Sequence, residues 1–414
     1  MTRDRNPTED LTTTPLRVIG SPSPARLTIS DGTARLTPLP EPDDRPRTEQ
    51  AEERWTGEPW AAGQARDRDR DRDRRTGDQG WPGGELWAGP GWVDLHAHVY
   101  DAMTEISLPP DRVGLDAGVH VLADAGSAGQ ATIDGLVRYV LPTARTRVRA
   151  WLNIGSHGLV HLRETADPSF IDVDATLAAI ERHRDVVCGV KVRSSGAIVG
   201  VMGLQPLQLG RLVAREAGLP LLVHVGEAPP LIGDVLDLLE AGDVVTHCYH
   251  GKTGTPWTCG GAPAPALARA LDRGVLLDVG HGAASFSFEV AARALAAGFP
   301  PHTISTDIHV RNVGGPVHDL ATTITKLVAC GMPLEDAIDA VTTRPRDILR
   351  MPEPWLSADG TIHHATLFRV TTTAPEHRVY RDAKGDTLTP KQHVIPVATI
   401  SNGTLTRTSP ATGG

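Results

Sequence analysis

Two histidines one residue apart close the apolar segment GWVDLHAH at residues 91–98, just after Asp94. On a strand, side chains alternate between faces, so Asp94, His96 and His98 share one of them. Three polar groups on one face make a poor core, whereas two neutral imidazoles at that spacing can hold one metal ion. Further along, single polar residues interrupt other apolar segments in the same way: Lys191 in GVKVRSS, His224 in LLVHVGE, His247 in VVTHCYHG and Asp307 in ISTDIH. Burying any of these without a partner is costly, most of all for a charge. Taken singly, a strand histidine reads as a satisfied core residue, a lysine as a snorkelling side chain, and an aspartate as a turn or helix cap. A shared metal centre would satisfy all six at once.

The segments around these residues decide whether they can meet. From residue 90 onward GWVDLHAH, HVLADAG, VRAWLNIG, VCGVKVRSS, PLLVHVGE, DVVTHCYHG, VLLDVGHG and TISTDIH alternate with helix-like stretches such as ATLAAIERHR, LQLGRLVAREAG and PALARALDRG. Strands alternating with helices predict βα units on a parallel sheet, and eight of them over about 220 residues predict a (β/α)8 TIM-type barrel. The active site of such a barrel lies at the carboxyl ends of its strands, where all six residues fall. HDLATTITKLVACG and PLEDAIDAVTTRPRDILR read as further helices.

The flanks read differently. Residues 1–88 form an expected amino-terminal β segment, in which ARLTISDGTARLTPLP predicts a hairpin around Asp31-Gly32. Within it ARDRDRDRDRRTGDQG, over about residues 62–80, has nothing apolar to bury and reads as a disordered, solvated linker. Residues 351–414, with TLFRV and HVIPVATI, are expected to pair with the amino-terminal segment as a small β-sandwich-like domain beside the barrel at 89–350.

A net charge of −9 and a hydrophobic fraction of 40% give no footprint for nucleic acid or a membrane surface, so the expected partner is a small-molecule substrate. Cys188, Cys248, Cys259 and Cys330 contain no C-x-x-C pair and read as reduced thiols. The charged amino terminus and the absence of eighteen consecutive apolar residues set the expectation of a cytoplasmic protein.

Together, PGWVDLHAH, Lys191, His224, His247 and Asp307 resemble the binuclear branch of the amidohydrolase superfamily, over roughly residues 88–350. The resemblance implies two divalent metal ions, one held by His96, His98 and Asp307 and the other by His224 and His247. It also implies a bridging carbamate, formed when Lys191 reacts with carbon dioxide. A buried lysine has a lowered pKa, and only its neutral form captures carbon dioxide. Imidazole and oxygen ligands suit zinc and leave manganese and iron open.

GVKVRSSGAIVG, VVTHCYHGK, LLDVGHGAASFSF and ISTDIHVRNVGGPVHDL are similar to the deacetylase-type, dihydroorotase-like branch. The implied activity is metal-dependent hydrolysis of an amide or ester bond by a metal-bridging hydroxide, with Asp307 as the catalytic proton carrier. The expected substrate is a small N-acetyl amino acid or acetylated hydroxy acid. A cyclic-amide hydrolase of the dihydroorotase kind and a non-catalytic scaffold of the same fold are the alternatives. Arg193 reads either as a bidentate clamp on a substrate carboxylate or as a salt bridge to a barrel carboxylate. Ser195 and His281 are further substrate-binding candidates, Tyr249, His250 and Asn312 lie on adjacent loops, and His157 follows the third strand. Barrels of this kind often associate, so a homo-oligomer is expected, with nothing to fix its symmetry. Two departures concern the small domain alone: the Arg/Asp tract interrupts it, and GTIHHATLFRV carries Thr366 where the family commonly has Asp.

Overall fold

The computed structural model describes residues 11–39 apart from 13 and 22, together with 84–372 and 379–409; the Arg/Asp tract lies outside the described residues. In the amino-terminal segment the strands are β1 (Arg17–Val18), β2 (Ala25–Ser30), β3 (Thr33–Pro38) and β4 (Glu85–Pro90). β2 and β3 form the expected hairpin, with Ser30 opposite Thr33. Asp31 and Gly32 both take positive φ, 50° and 70°, as a tight two-residue hairpin turn requires.

Seven parallel strands follow: β5 (Trp92–Ala97), β6 (Val119–Gly129), β7 (Arg147–Asn153), β8 (Val187–Ser194), β9 (Leu221–Val225), β10 (Val244–Thr246) and β11 (Leu276–Leu277). They pair in sequence order, β5 at one end and β11 at the other. The eighth expected strand is an extended segment, 303–308, that closes the ring through isolated bridges, Asp278 to Thr303 and Ala97 to Ile308. Its ladder is broken for a local reason. The Thr306 N–H donates to the Asp94 carboxylate at 3.0 Å instead of to a neighbouring strand, and Asp307 turns to φ 50°. The architecture is a TIM-type barrel, with helices such as Val173–Arg182, Gln205–Ala217, Pro265–Asp272 and Leu320–Ala329 between and after the strands. Asp172 and Asp319 cap two of these helices, each accepting a backbone N–H from the first turn.

The carboxyl-terminal strands are β12 (His364–Thr371), β13 (Tyr380–Arg381), β14 (Thr387–Leu388), β15 (His393–Ser401) and β16 (Thr404–Arg407). One sheet runs β1-β4-β12-β15-β16, so strands from both ends of the chain build it. The β2–β3 hairpin shares its core through Leu27, Leu36, Leu367 and Ile400. β4 passes into β5 through Gly91 alone. At that join Phe368 packs against Trp87 and Trp92, with ring centroids 6.3 and 5.5 Å away. Thr366 accepts from the Trp92 N–H at 3.1 Å and donates to the Gly118 carbonyl at 2.9 Å, so its hydroxyl bonds the sheet to the barrel. Among the described residues no single helix is long and apolar enough to cross a membrane, and all four cysteines are free.

Candidate metal centre

His96 lies in β5 and His98 just beyond its end, Lys191 in β8, His224 in β9, His247 just past β10 and Asp307 in the closing segment. Ring closure brings them together at the carboxyl ends of the strands. The ligating atoms of His96, His247 and Asp307 lie within 4.8 Å of one another. Asp307 Oδ1 is 3.2 Å from His96 Nε2 and 2.9 Å from His98 Nε2. Lys191 Nζ is 3.4 Å from His96 Nε2, and the His224 ring meets the His247 ring edge-on at 4.5 Å. His247 and Asp307 both hold positive φ, 69° and 50°, the kind of backbone strain that concentrates at functional sites.

The outward nitrogens of His96, His98 and His247 are already committed. His247 Nδ1 donates to the Gly280 carbonyl at 2.5 Å, and His98 Nδ1 is 3.0 Å from Ser127 Oγ. His96 Nδ1 is 3.0 Å from Thr246 Oγ1, and that hydroxyl donates its one proton to Asp278 Oδ2 at 2.7 Å. Thr246 must therefore accept from His96 Nδ1–H, which leaves a lone pair on Nε2 aimed at the Asp307 carboxylate. Lone pair against carboxylate is unfavourable unless a cation lies between them. This donor set, imidazole Nε2 atoms and a carboxylate with their other polar atoms fixed from outside, fits a divalent metal ion.

Charge states agree with that fit. Burial pushes His96 and His224 well below the usual histidine range and His247 down to about 4, so the rings are neutral. Burial likewise lowers Lys191 to about 7. For Asp307 burial acts upward, and only positive charge beside it, at His96 first or on a cation held there instead, outweighs burial and keeps the carboxylate well below its ordinary value.

No protein-family model matches the chain. A deacetylase of Enterococcus faecalis is 35% identical over 318 residues, covering 76% of this chain and 85% of that protein. A deacetylase of Agrobacterium fabrum is 43% identical over 265 residues, 63% of this chain; the match spans 65% of that relative, just under two thirds of its length. A crystal structure of a dihydroorotase superposes with TM-score 0.78 at 33% identity, covering 95% of this chain and 96% of that one. The chain belongs to the amidohydrolase superfamily, in its deacetylase and dihydroorotase-like branch. A crystal structure of an adenine deaminase, TM-score 0.73 and 33% identical over 78% of this chain, covers 87% of its own length. The TIM-type barrel with an added sheet is thus the shared architecture.

Within this amidohydrolase, the remaining candidates fall into different surroundings. Ser195 Oγ is 3.0 Å from His224 Nε2, which puts it beside the cluster. Arg193 gives its fork to Glu164, at 2.7 and 2.6 Å, and also donates to the Leu162 carbonyl. Of its two readings, the salt bridge is the one the structure shows. His281 accepts from the Lys326 ammonium at 2.8 Å and donates to the Gly282 carbonyl at 2.9 Å, so both ring nitrogens have partners within the protein. Tyr249 packs inward against Trp257, Asn312 donates to the Asp307 carbonyl, and His157 meets Phe170. Asp94 shares the strand with the two histidines but turns to Thr306, at 3.0 Å from its N–H and 2.5 Å from its hydroxyl; burial raises this carboxyl to about 7.

Sequence reasoning missed the residues that hold the ligands in place. Asp278 accepts from Thr246, Thr303 and Ser305 at 2.7, 2.7 and 2.6 Å, and all four are fully buried. The run of hydroxyl residues in TISTDIH was the available signal, since such groups inside an apolar strand need a buried acceptor.

Proposed function

We propose that this amidohydrolase is a deacetylase that hydrolyses the amide or ester bond of a small acetylated acid, an N-acetyl amino acid or an O-acetyl hydroxy acid. The observation that carries the metal-dependent part of this reading is the convergence of imidazole Nε2 atoms on the Asp307 carboxylate. Support for acetyl as the acyl group comes from the relatives named as deacetylases.

His96, His98 and Asp307 would hold one divalent ion and His224 and His247 a second, with zinc suited to both sets. Lys191, neutral over much of the physiological range because burial lowers it to about 7, would join its Nζ to carbon dioxide, lose a proton and present a carbamate oxygen between them. When bound, such ions polarise a carbonyl and lower the pKa of water toward 7. Asp307 takes the proton from the attacking water and delivers it to the departing nitrogen or oxygen, for which its ionised state is the right starting point. Thr246 and Ser127 keep His96 and His98 turned inward while this happens. A bond to water forms at the acetyl carbon, the bond to nitrogen or oxygen breaks, and the products are acetate and the free amine or alcohol.

The test is acetate release by zinc-loaded protein, supplied with bicarbonate, across N-acetyl-D- and N-acetyl-L-amino acids and acetylated hydroxy acids. Release from one stereochemical series is expected. Failure with every acid, combined with opening of a cyclic amide, would replace the deacetylase reading by the ring-opening one.

A further inference from the structure

An acidic substrate needs a cation at the barrel mouth, and Arg193 is already committed to Glu164. The β13–β14 hairpin offers another. It leaves the terminal sheet and lies against the loops beyond the barrel strands. Ala383 N–H donates to the Phe286 carbonyl at 3.0 Å, and Asp382 accepts from the Phe288 N–H at 3.0 Å, both in the segment after β11. Lys326 donates to the carbonyls of Arg381 and Pro316, each at 2.6 Å, tying the hairpin to the segment beyond Asp307. Asp382 also accepts from the N–H groups of Lys384 and Asp386, at 2.8 and 3.0 Å, which fixes the tip.

At that tip Lys384 lies over Gly251, in the loop that carries His247. A Cβ on Gly251 would sit 2.3 Å from Lys384 Cε, 2.8 Å from Nζ and 3.0 Å from Ser287 Cβ, so a side chain there would push the lysine's flexible end aside. Nearby Lys252 is neutralised by Glu227 at 2.7 Å, whereas no ion pair is formed by Lys384 among the described residues. Around the same glycine are two fully buried polar atoms without a hydrogen-bond partner, His250 Nε2 and Ser287 Oγ. His250 Nδ1 accepts from the Lys252 N–H at 3.1 Å, so in the neutral ring the proton is on Nε2, a buried donor with no acceptor. Buried donors left in that state call for a missing acceptor.

We propose that Lys384, with His250 and Ser287 around Gly251, forms the subsite that receives the carboxylate of the substrate. An ammonium, an imidazole N–H and a hydroxyl are complementary to that group, and a neutral carboxamide loses the charge-assisted part of the interaction with Lys384. The inference rests on the acetylated-acid reading above and adds the residue that selects for the acid.

The experiment compares Lys384→Met with the wild type on an acetylated hydroxy acid and on its neutral carboxamide. KM for the acid is expected to rise at least about tenfold in the variant with kcat changed less than about threefold, while kcat/KM for the carboxamide stays within about threefold. Lys384→Arg should recover most of the loss. Lys384 is exposed, so its melting temperature serves as the folding control. Equal losses on acid and carboxamide, or none on either, would overturn the subsite while leaving the deacetylase reading intact. A wild type inactive on all acids but active on cyclic amides would remove the reading itself, and the subsite with it.

Discussion

Each inward-facing imidazole depends on what grips its other nitrogen. His96 is the clearest case, because its grip is a relay from Nδ1 to Thr246 and from Thr246 to Asp278, entirely buried. Thr246→Val keeps the shape and removes the hydroxyl, so His96 loses its acceptor and Asp278 one of its three donors. Zinc affinity should fall about 10- to 100-fold, as for other groups that orient metal ligands, measured by competition with a chelator; unchanged affinity would show that the relay does not orient His96. Asp307→Asn makes the opposite separation. The amide oxygen can still ligate but is a far weaker base, so most of the bound metal should remain while kcat falls at least about a thousandfold. Metal analysis and turnover on the same preparation would check it, and near-normal turnover would dismiss Asp307 as the proton carrier. The ligand candidates were legible in the sequence because a polar residue stands out in an apolar strand. Ser127, Thr246 and Asp278 were not, because buried hydroxyls and caps are ordinary in any strand-rich chain, and only the closed ring reveals which imidazole each one meets.

The alternation of strand and helix is the strongest periodic signal in the chain, and it delivered the barrel and the end of it at which the six residues gather. Its weakest stave was the eighth, where the segment around Asp307 gives up ladder bonds to Asp94. Loops are less legible, since they carry no period. Glu164, in the long connection after β7, is fully buried and holds Arg193 from 29 residues away. That ion pair, with Asn153 Nδ2 3.4 Å from Glu164 Oε1, pins the connection down against the β8 strand. Glu164→Gln leaves a guanidinium only 16% exposed without its counter-charge. The loss in unfolding free energy should be about 3 kcal/mol, the low end for a broken buried pair given that partial exposure. Denaturant titration would measure it, and a double replacement, Glu164→Met with Arg193→Met, should recover part of the loss. A Glu164→Gln protein as stable as the wild type would show that the pair holds nothing in place.

The pairing of the two chain ends was readable from their strand-like text, but their dependence on the barrel was not. Phe368, deep in β12, belongs to the barrel's own hydrophobic cluster through Trp92, and Thr366 and His120 add hydrogen bonds across the same join. Sequence patterns mark where a segment changes character, and nothing in them measures how much core two segments share. The β13–β14 hairpin shows the same limit, since RDAKGDTL reads as a plain turn and reaches the barrel mouth only through tertiary contacts. If the sheet were an independent appendage, a cavity inside it would spare the barrel. If the core is continuous, Phe368→Ala must weaken the whole molecule, by about 3–5 kcal/mol for a buried aromatic. Scanning calorimetry should then give one transition in the wild type and one, shifted down, in the variant. Two transitions, with the upper one unmoved by Phe368→Ala, would mean that the barrel stands alone, and that the hairpin carrying Lys384 is held at the mouth only by its own hydrogen bonds.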